Sequence, residues 1–133
     1  MAELIRTKDG TVGFGDYTLF EKTKQSDCEV EGTLYKCKSF KELTRLEKND
    51  MFLYESEPGT RVEGLKTDGA KVSFSVEGEG DTQITLGLED ATEYKVKVGG
   101  RDFDTLTTGV GGKLSIAVEL EAGKPQDVVI ERK

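Results

Sequence analysis

"LEDATEYKVKVGGRDF", residues 88–103, decides the fold. Leu88 closes one run of alternating apolar residues. Tyr94, Val96 and Val98 then alternate with lysines up to a Gly-Gly turn at 99–100. A period of two with one apolar face is the mark of a half-buried strand. The pattern extends outward on both sides. "KVSFSVEG" (71–78) places Val72, Phe74 and Val76 on one face, and "TQITLGLE" (82–89) does the same with Ile84, Leu86 and Leu88. "KLSIAVELE" (113–121) alternates Leu114, Ile116, Val118 and Leu120, and "QDVVIER" (126–132) ends the series. "MFLYES" (51–56), "RVEGLK" (61–66) and the weaker "DFDTLTT" (102–108) complete it. Gly, Asp, Asn or Pro occupies each gap, as turns require.

Short strands with polar outer faces and short turns describe a mainly β protein, an antiparallel β-sandwich. Parallel architecture needs a helix at each crossover. In "LEDATEYKVKV", Tyr94 near the start of its strand, with Thr92 two residues before, resembles the tyrosine corner of immunoglobulin and fibronectin type III domains. In that corner the hydroxyl bonds to backbone a few residues upstream. The expected fold is therefore immunoglobulin- or fibronectin III-like. Residues 63–133 supply fewer residues than the roughly 100 of such a sandwich. Two parts are thus expected to share one core: 1–62, β-rich with a short helix, and 63–133, the sandwich proper.

The N-terminal part is harder to read. "ELIR" (3–6) and "TVGFGDYTLF" (11–20) suggest strands, and "CEVEGTLYKC" (28–37) suggests a hairpin turning at Glu31-Gly32. "SFKELTRLEKND" (39–50) predicts one short α-helix over 39–49. Ser39 and Glu42 fit the S-x-x-E capping box, Phe40, Leu43 and Leu46 form an apolar stripe, and Asn49 suits the C-terminal end.

Composition removes several function classes. The 133 residues carry 19 Lys and Arg against 26 Asp and Glu, a net charge of −7. That surplus disfavours nucleic acid or an anionic membrane as partner. Histidine is absent, which excludes Ser-His-Asp and Cys-His nucleophilic systems and imidazole metal sites. The start, "MAELIRTKDG", lacks the apolar stretch of a secretory signal. A cytoplasmic location is the default, or a secreted one where a leader has been removed. Cys28 and Cys37 would lie near each other on facing strands, either as free thiols, the favoured reading, or as a disulfide closing a short loop.

Candidate sites are few. "EGEGDT" (77–82) gathers Glu77, Glu79 and Asp81 at a flexible turn, the oxygen-rich setting that Ca²⁺ takes, though without the longer D-x-D-x-D-G pattern. Tyr17, Tyr35 and Tyr54 belong to an aromatic concentration in the N-terminal half, which is either core or a surface for a glycan or a neighbouring subunit. "GVGGK" (109–113) precedes a strand, so it reads as a turn and not as a phosphate cradle. Lys36, Lys38, Lys41, Arg45 and Lys48 cluster around the predicted helix, where pairing with Glu42 and Glu47 is favoured and a partner site is the alternative.

Stretches of the kind "FGDY" (14–17), "YK-KSFKE-T-LE" (35–47) and "FLYES-PGT" (52–60) resemble a group of small clostridial proteins that automated naming often calls endosialidases. That resemblance implies glycoside processing. Sialidase chemistry calls for an arginine constellation, and none is marked out among Arg6, Arg45, Arg61, Arg101 and Arg132. No catalytic residue is carried over. The expectation is a non-catalytic structural or protein-interaction sandwich that self-assembles or holds a protein partner. A carbohydrate-binding accessory module comes second and a glycoside-processing enzyme third.

Overall fold

From Met51 to the end of the chain, each expected alternation forms a strand. The computed structural model describes residues 4–8, 10–30, 32–68 and 70–133. The first part supplies β1 (Ile5–Lys8), β2 (Thr11–Phe14), β3 (Thr23–Val30), β4 (Thr33–Phe40), β5 (Leu43–Lys48) and β6 (Met51–Glu57). The rest supplies β7 (Arg61–Asp68), β8 (Lys71–Glu77), β9 (Thr82–Gly87), β10 (Glu93–Val98), β11 (Arg101–Thr107), β12 (Lys113–Val118) and β13 (Gln126–Arg132). These strands form two antiparallel sheets packed as a sandwich. One has seven strands in the order β1-β2-β7-β8-β13-β10-β11, and the other has six in the order β12-β9-β6-β5-β4-β3.

The winding is nested. β10 pairs with β11, β9 with β12 outside them, and β8 with β13 outside those. A long hairpin rolled across two sheets gives this arrangement, as in jelly rolls. The strands before β7 extend both sheets, with β2 joining β7 and β6 joining β9. One hydrophobic core then runs from Leu4 to Ile130. At its centre Tyr54 meets the rings of Phe14 and Phe74 edge to face, at 4.9 Å and 5.7 Å. Tyr94 is buried, and the Glu89 N–H donates to its hydroxyl oxygen at 3.2 Å. The corner bond to upstream backbone is present.

The predicted helix over 39–49 does not form. No helix occurs among the described residues. β4 runs on to Phe40, Lys41 and Glu42 make a turn, and β5 returns in register, with Phe40 opposite Leu43 and Ser39 opposite Thr44. The capping-box serine is buried. Its hydroxyl accepts from the Asp16 N–H at 2.8 Å and shares a 2.8 Å bond with Thr44 Oγ1. Spacing had placed Phe40, Leu43 and Leu46 on one stripe, but they divide between two faces. Leu46 is fully buried in the core, whereas Phe40 and Leu43 are half-buried on the outer side. Asn49 and Asp50 both adopt positive φ (50° and 63°), the signature of a two-residue type I′ turn. They join β5 to β6 where a helix end was expected.

A second feature is the chain of buried hydroxyls between the sheets. Tyr54 Oη bonds to Thr60 Oγ1 at 2.7 Å, and Ser56 Oγ reaches the same atom at 2.8 Å. Thr60 N–H donates to Thr44 Oγ1, which in turn donates to the Thr60 carbonyl, each at 3.0 Å. Ser39, Thr44, Ser56 and Thr60 are all buried. The network fixes the 57–60 connection, which contains a cis Glu57–Pro58 bond, across the β4–β5 turn.

The cysteines sit two rungs apart. Cys28 faces Tyr35, Cys37 faces Gln25, and both thiols are free. Loss of solvation pushes the Cys37 thiol up to about 12. Gln25 closes one side of the sandwich, where its Oε1 accepts from the N–H groups of Leu4 and Ile5 at 2.9 Å and 3.2 Å. On the opposite side, Phe103 of β11 and Ala117 and Val118 of β12 line a shared groove.

Candidate functional site: a cationic face on the six-stranded sheet

Strand register gathers charge that the sequence scatters. Lys24 on β3 lies opposite Lys38 on β4, and Lys38 lies opposite Arg45 on β5. Inward neighbours fix their direction: Cys37 and Ser39, and likewise Thr44 and Leu46, are buried, so Lys38 and Arg45 face outward. Adjacent strands are about 4.8 Å apart, so the three cations span about 10 Å of the outer face. Lys36 occupies the next rung, opposite Glu47. Lys24, Ser26, Lys36, Lys38, Arg45 and Glu47 line a cleft of about 230 Å³.

Neutralisation within the cleft is sparse. Glu47 approaches Arg45 Nε at 4.0 Å, and Asp50 approaches Lys36 Nζ at 3.9 Å. Among the described residues no acid lies within ion-pair distance of Lys22, Lys24 or Lys38. The Lys38 ammonium is held below the usual lysine range, first by loss of solvation and then by Lys24, Lys22 and Arg45. Arg45 Nε is buried without a hydrogen-bond partner. Like charges opposite one another weaken a sheet, and the Lys24–Lys38–Arg45 row is offset only at its β6 end, where Arg45 lies opposite Glu55.

Aromatic rings interleave the cations. The Arg45 guanidinium lies 5.5 Å from the Phe52 ring and Lys113 Nζ lies 5.3 Å from it. Lys22 stands over Phe40 at 5.7 Å, and Lys41 over Phe20, which is 80% exposed, at 5.2 Å. Beside Arg45 the same face carries a hollow of about 280 Å³ lined by Glu55, Glu57, Gln83 and Thr85. Glu57 is exposed and Glu55 half-buried on an open face. Neither has the apolar enclosure that a glycosidase gives its general acid.

The residues singled out in the sequence lie elsewhere and apart. Tyr54 is fully buried in the core, so it offers nothing to a ligand or partner. Tyr17 is only 8% exposed, and its hydroxyl donates to Glu77 Oε2 in a short hydrogen bond. Tyr35 is half-buried on the inner side of β4, lining a groove with Val12, Val30, Leu53 and Leu65. The three tyrosines form no common surface. Glu77 also accepts from the Gly123 N–H at 3.2 Å, while Glu79 and Asp81 are exposed on the β8–β9 connection. Among the described residues no three acids or cysteines are arranged to hold a metal ion. The 109–112 stretch is a turn, with Gly109 O accepting from the N–H groups of Gly112 and Ala91 at 3.1 Å and 3.2 Å.

The Tyr17–Glu77 pair carries a pH signature. The tyrosine hydroxyl, then the Gly123 N–H, hold the Glu77 carboxyl below the usual range. Its contribution to stability is present above the unfolded carboxylate value and lost as pH falls through the lower folded one. The Tyr17 hydroxyl is pushed up to about 12, chiefly by the same bond. Its contribution is complete below about 10 and lost as pH rises towards about 12. The stability gap between the parent and Glu77→Gln should narrow between pH 7 and pH 3 in urea titrations. A gap of constant size would remove the pair from the acid response.

The sequence showed Lys36, Lys38 and Arg45 as a basic cluster but placed Arg45 on a helix and left out Lys24. One signal was available: in "YKCKS" (35–39), Lys36 and Lys38 flank Cys37 at strand spacing. Their meeting with Lys24 and Arg45 depends on pairing between strands. No protein-family model matches the chain, and no curated protein or solved structure matches it.

Proposed function

We propose that this chain is a non-catalytic protein-interaction sandwich that docks an acidic protein surface on the outer face of its six-stranded sheet. The Lys24–Lys38–Arg45 rung carries the reading. It concentrates positive charge, with little internal neutralisation, on a chain of net charge −7. The cost of this crowding is offset when carboxylates enter the cleft. A nucleic-acid backbone fits less well, because the patch spans only about 10 Å and the net field of the chain repels a phosphate polymer at longer range.

A carbohydrate-binding role is the second reading. The half-buried Phe52 and the polar hollow of Glu55, Glu57, Gln83 and Thr85 beside the cations favour it. Binding measurements with poly-aspartate and with a carboxylated oligosaccharide separate the two. Poly-aspartate is expected to bind with an affinity that falls as salt rises. The triple variant Lys24→Gln, Lys38→Gln, Arg45→Gln should bind it at least about tenfold more weakly, each lost pair being worth about 0.5–1 kcal/mol. Equal affinity of parent and variant would end the docking proposal. Selective binding of the oligosaccharide would install the second reading in its place.

A further inference from the structure

Among the described residues the sandwich has four edge strands, and three are protected against pairing with another chain. β1 is four residues long, and Gln25 caps the N–H groups of Leu4 and Ile5. β3 carries a register shift between Gln25 and Cys28 and displays Lys24. β11 carries an extra residue, Phe103, where its register with β10 shifts between Val96 and Lys97, and Asp104 Oδ1 accepts the Thr105 N–H at 2.7 Å. Bulges, charges and short length are the usual devices for blunting an edge. β12 has no bulge, and its one charge, Lys113, sits at its first position. The strand runs six residues in unbroken register with β9, and among the described residues no strand pairs with its other side.

We infer that β12 is a self-pairing edge: two copies of the chain join antiparallel about a two-fold axis at Ile116, making one continuous twelve-stranded sheet. The hydrogen-bond phase permits this. Leu88 N–H donates to the Gly112 carbonyl at 2.7 Å, so Gly112, Leu114, Ile116 and Val118 turn their backbone groups towards β9. In an antiparallel ladder the alternate residues point the other way. Lys113, Ser115 and Ala117 therefore present N–H and C=O groups to the open side. A two-fold at Ile116 sets Ser115 opposite Ala117 of the second copy, both in the phase that exchanges backbone hydrogen bonds.

Side chains agree with this register. Lys113 falls opposite Glu119 of the second copy, twice by symmetry, and both residues are exposed. Opposite charges directly across a ladder stabilise it. Small Ser115 and Ala117 lie between them and create no clash. Phe103, 45% exposed on β11, lines an open groove of about 400 Å³ with Val98, Ala117 and Val118 alongside this edge. Apolar surface is thus left uncovered where the second copy would arrive. The inference goes beyond acidic-partner docking and does not depend on it, because Lys24, Lys38 and Arg45 lie on strands away from β12.

Light scattering after size exclusion, from about 10 µM to about 1 mM chain, tests it. The mass should rise towards twice the 14.6 kDa of one chain. Ala117→Pro removes an N–H from the open side while leaving the β9 ladder intact, and should weaken association at least about tenfold. Lys113→Glu and Glu119→Lys should each do the same through like-charge contacts, and the double swap should restore the parent behaviour. Those charge variants decide the matter if the proline variant fails to fold by circular dichroism. A mass of one chain at every concentration overturns the proposal, as does a dimer indifferent to the charge variants. The Lys24, Lys38, Arg45 triple variant should dimerise like the parent, so the two proposals fail separately.

Discussion

Tyr54→Ala is expected to lower the unfolding free energy by about 4 kcal/mol, a large share of what a domain of this size possesses. The ring lies at the centre of the core, fully buried between Phe14 and Phe74. Removing it leaves an aromatic-sized void that strands paired on both sides cannot collapse into. Tyr54→Phe separates ring from hydroxyl. It keeps the packing and deletes one buried hydrogen bond, and Thr60 Oγ1 retains its contact with Ser56. The expected cost is about 1 kcal/mol. Urea midpoints of the two variants measure both quantities. A phenylalanine variant as weak as the alanine variant would transfer the stabilising role from the ring to the hydroxyl chain.

Gly59→Ala should cost about 3 kcal/mol by a different route, overpacking against backbone. A Cβ at Gly59 would lie 2.0 Å from the carbonyl oxygen of Phe40, and a backbone atom cannot swing aside. Gly59 N–H also donates to the Lys41 carbonyl at 3.0 Å, so the 57–60 connection lies directly on the β4–β5 turn. Relief of the clash requires that turn to move, and with it Thr44 and the buried hydroxyl chain. Gly80→Ala is the control. Its Cβ would meet nothing within 4 Å, and its effect should stay within about 0.5 kcal/mol. Thermal or urea unfolding of the pair checks the contrast, and similar losses at both positions would refute the close approach at Gly59.

Most C-terminal strands were legible because their alternation was complete and each gap contained a turn residue, the weak 102–108 run forming the largely exposed β11. Val72, Phe74 and Val76 on β8, and Leu114, Ile116 and Val118 on β12, are buried as their spacing implies. The β4–β5 hairpin was not legible, for two physical reasons. Its turn, Lys41–Glu42, lacks Gly, Pro, Asn or Asp, so nothing announces a reversal. Its inward positions include Ser39 and Thr44, which conceal the alternation behind polar residues. Those hydroxyls are tolerated inside because each finds a partner, and such partners are visible only in three dimensions. Local propensity therefore favoured a helix, and tertiary pairing overrode it.

The same limit left the candidate site only partly visible, with Lys36, Lys38 and Arg45 noted as a basic cluster and Lys24 left out. Lys24, Lys38 and Arg45 are separated by 14 and 7 positions in the chain, and only the β3–β4–β5 register brings them together. The aromatic concentration in the N-terminal half was visible as composition, but its division was not. Phe14 and Tyr54 went to the core and Phe20 to the surface. Composition counts residues, whereas burial depends on which side of a strand each one falls.

The uneven distribution of charge also determines how the molecule meets others in solution. Lys22, Lys24, Lys36, Lys38 and Arg45 hold five positive charges in one region of a chain of net −7, which leaves −12 on the remainder. Such a particle has a substantial electric dipole, with its positive pole at the β3–β5 end of one sheet. A negatively charged body approaching it experiences a torque before any contact, and the productive orientation is selected during diffusion. With a Debye length of about 8 Å at physiological salt, that alignment acts over less than the roughly 10 Å width of the patch itself. The alignment therefore acts only at close range, and the same screening confines repulsion by the acidic remainder to similar distances.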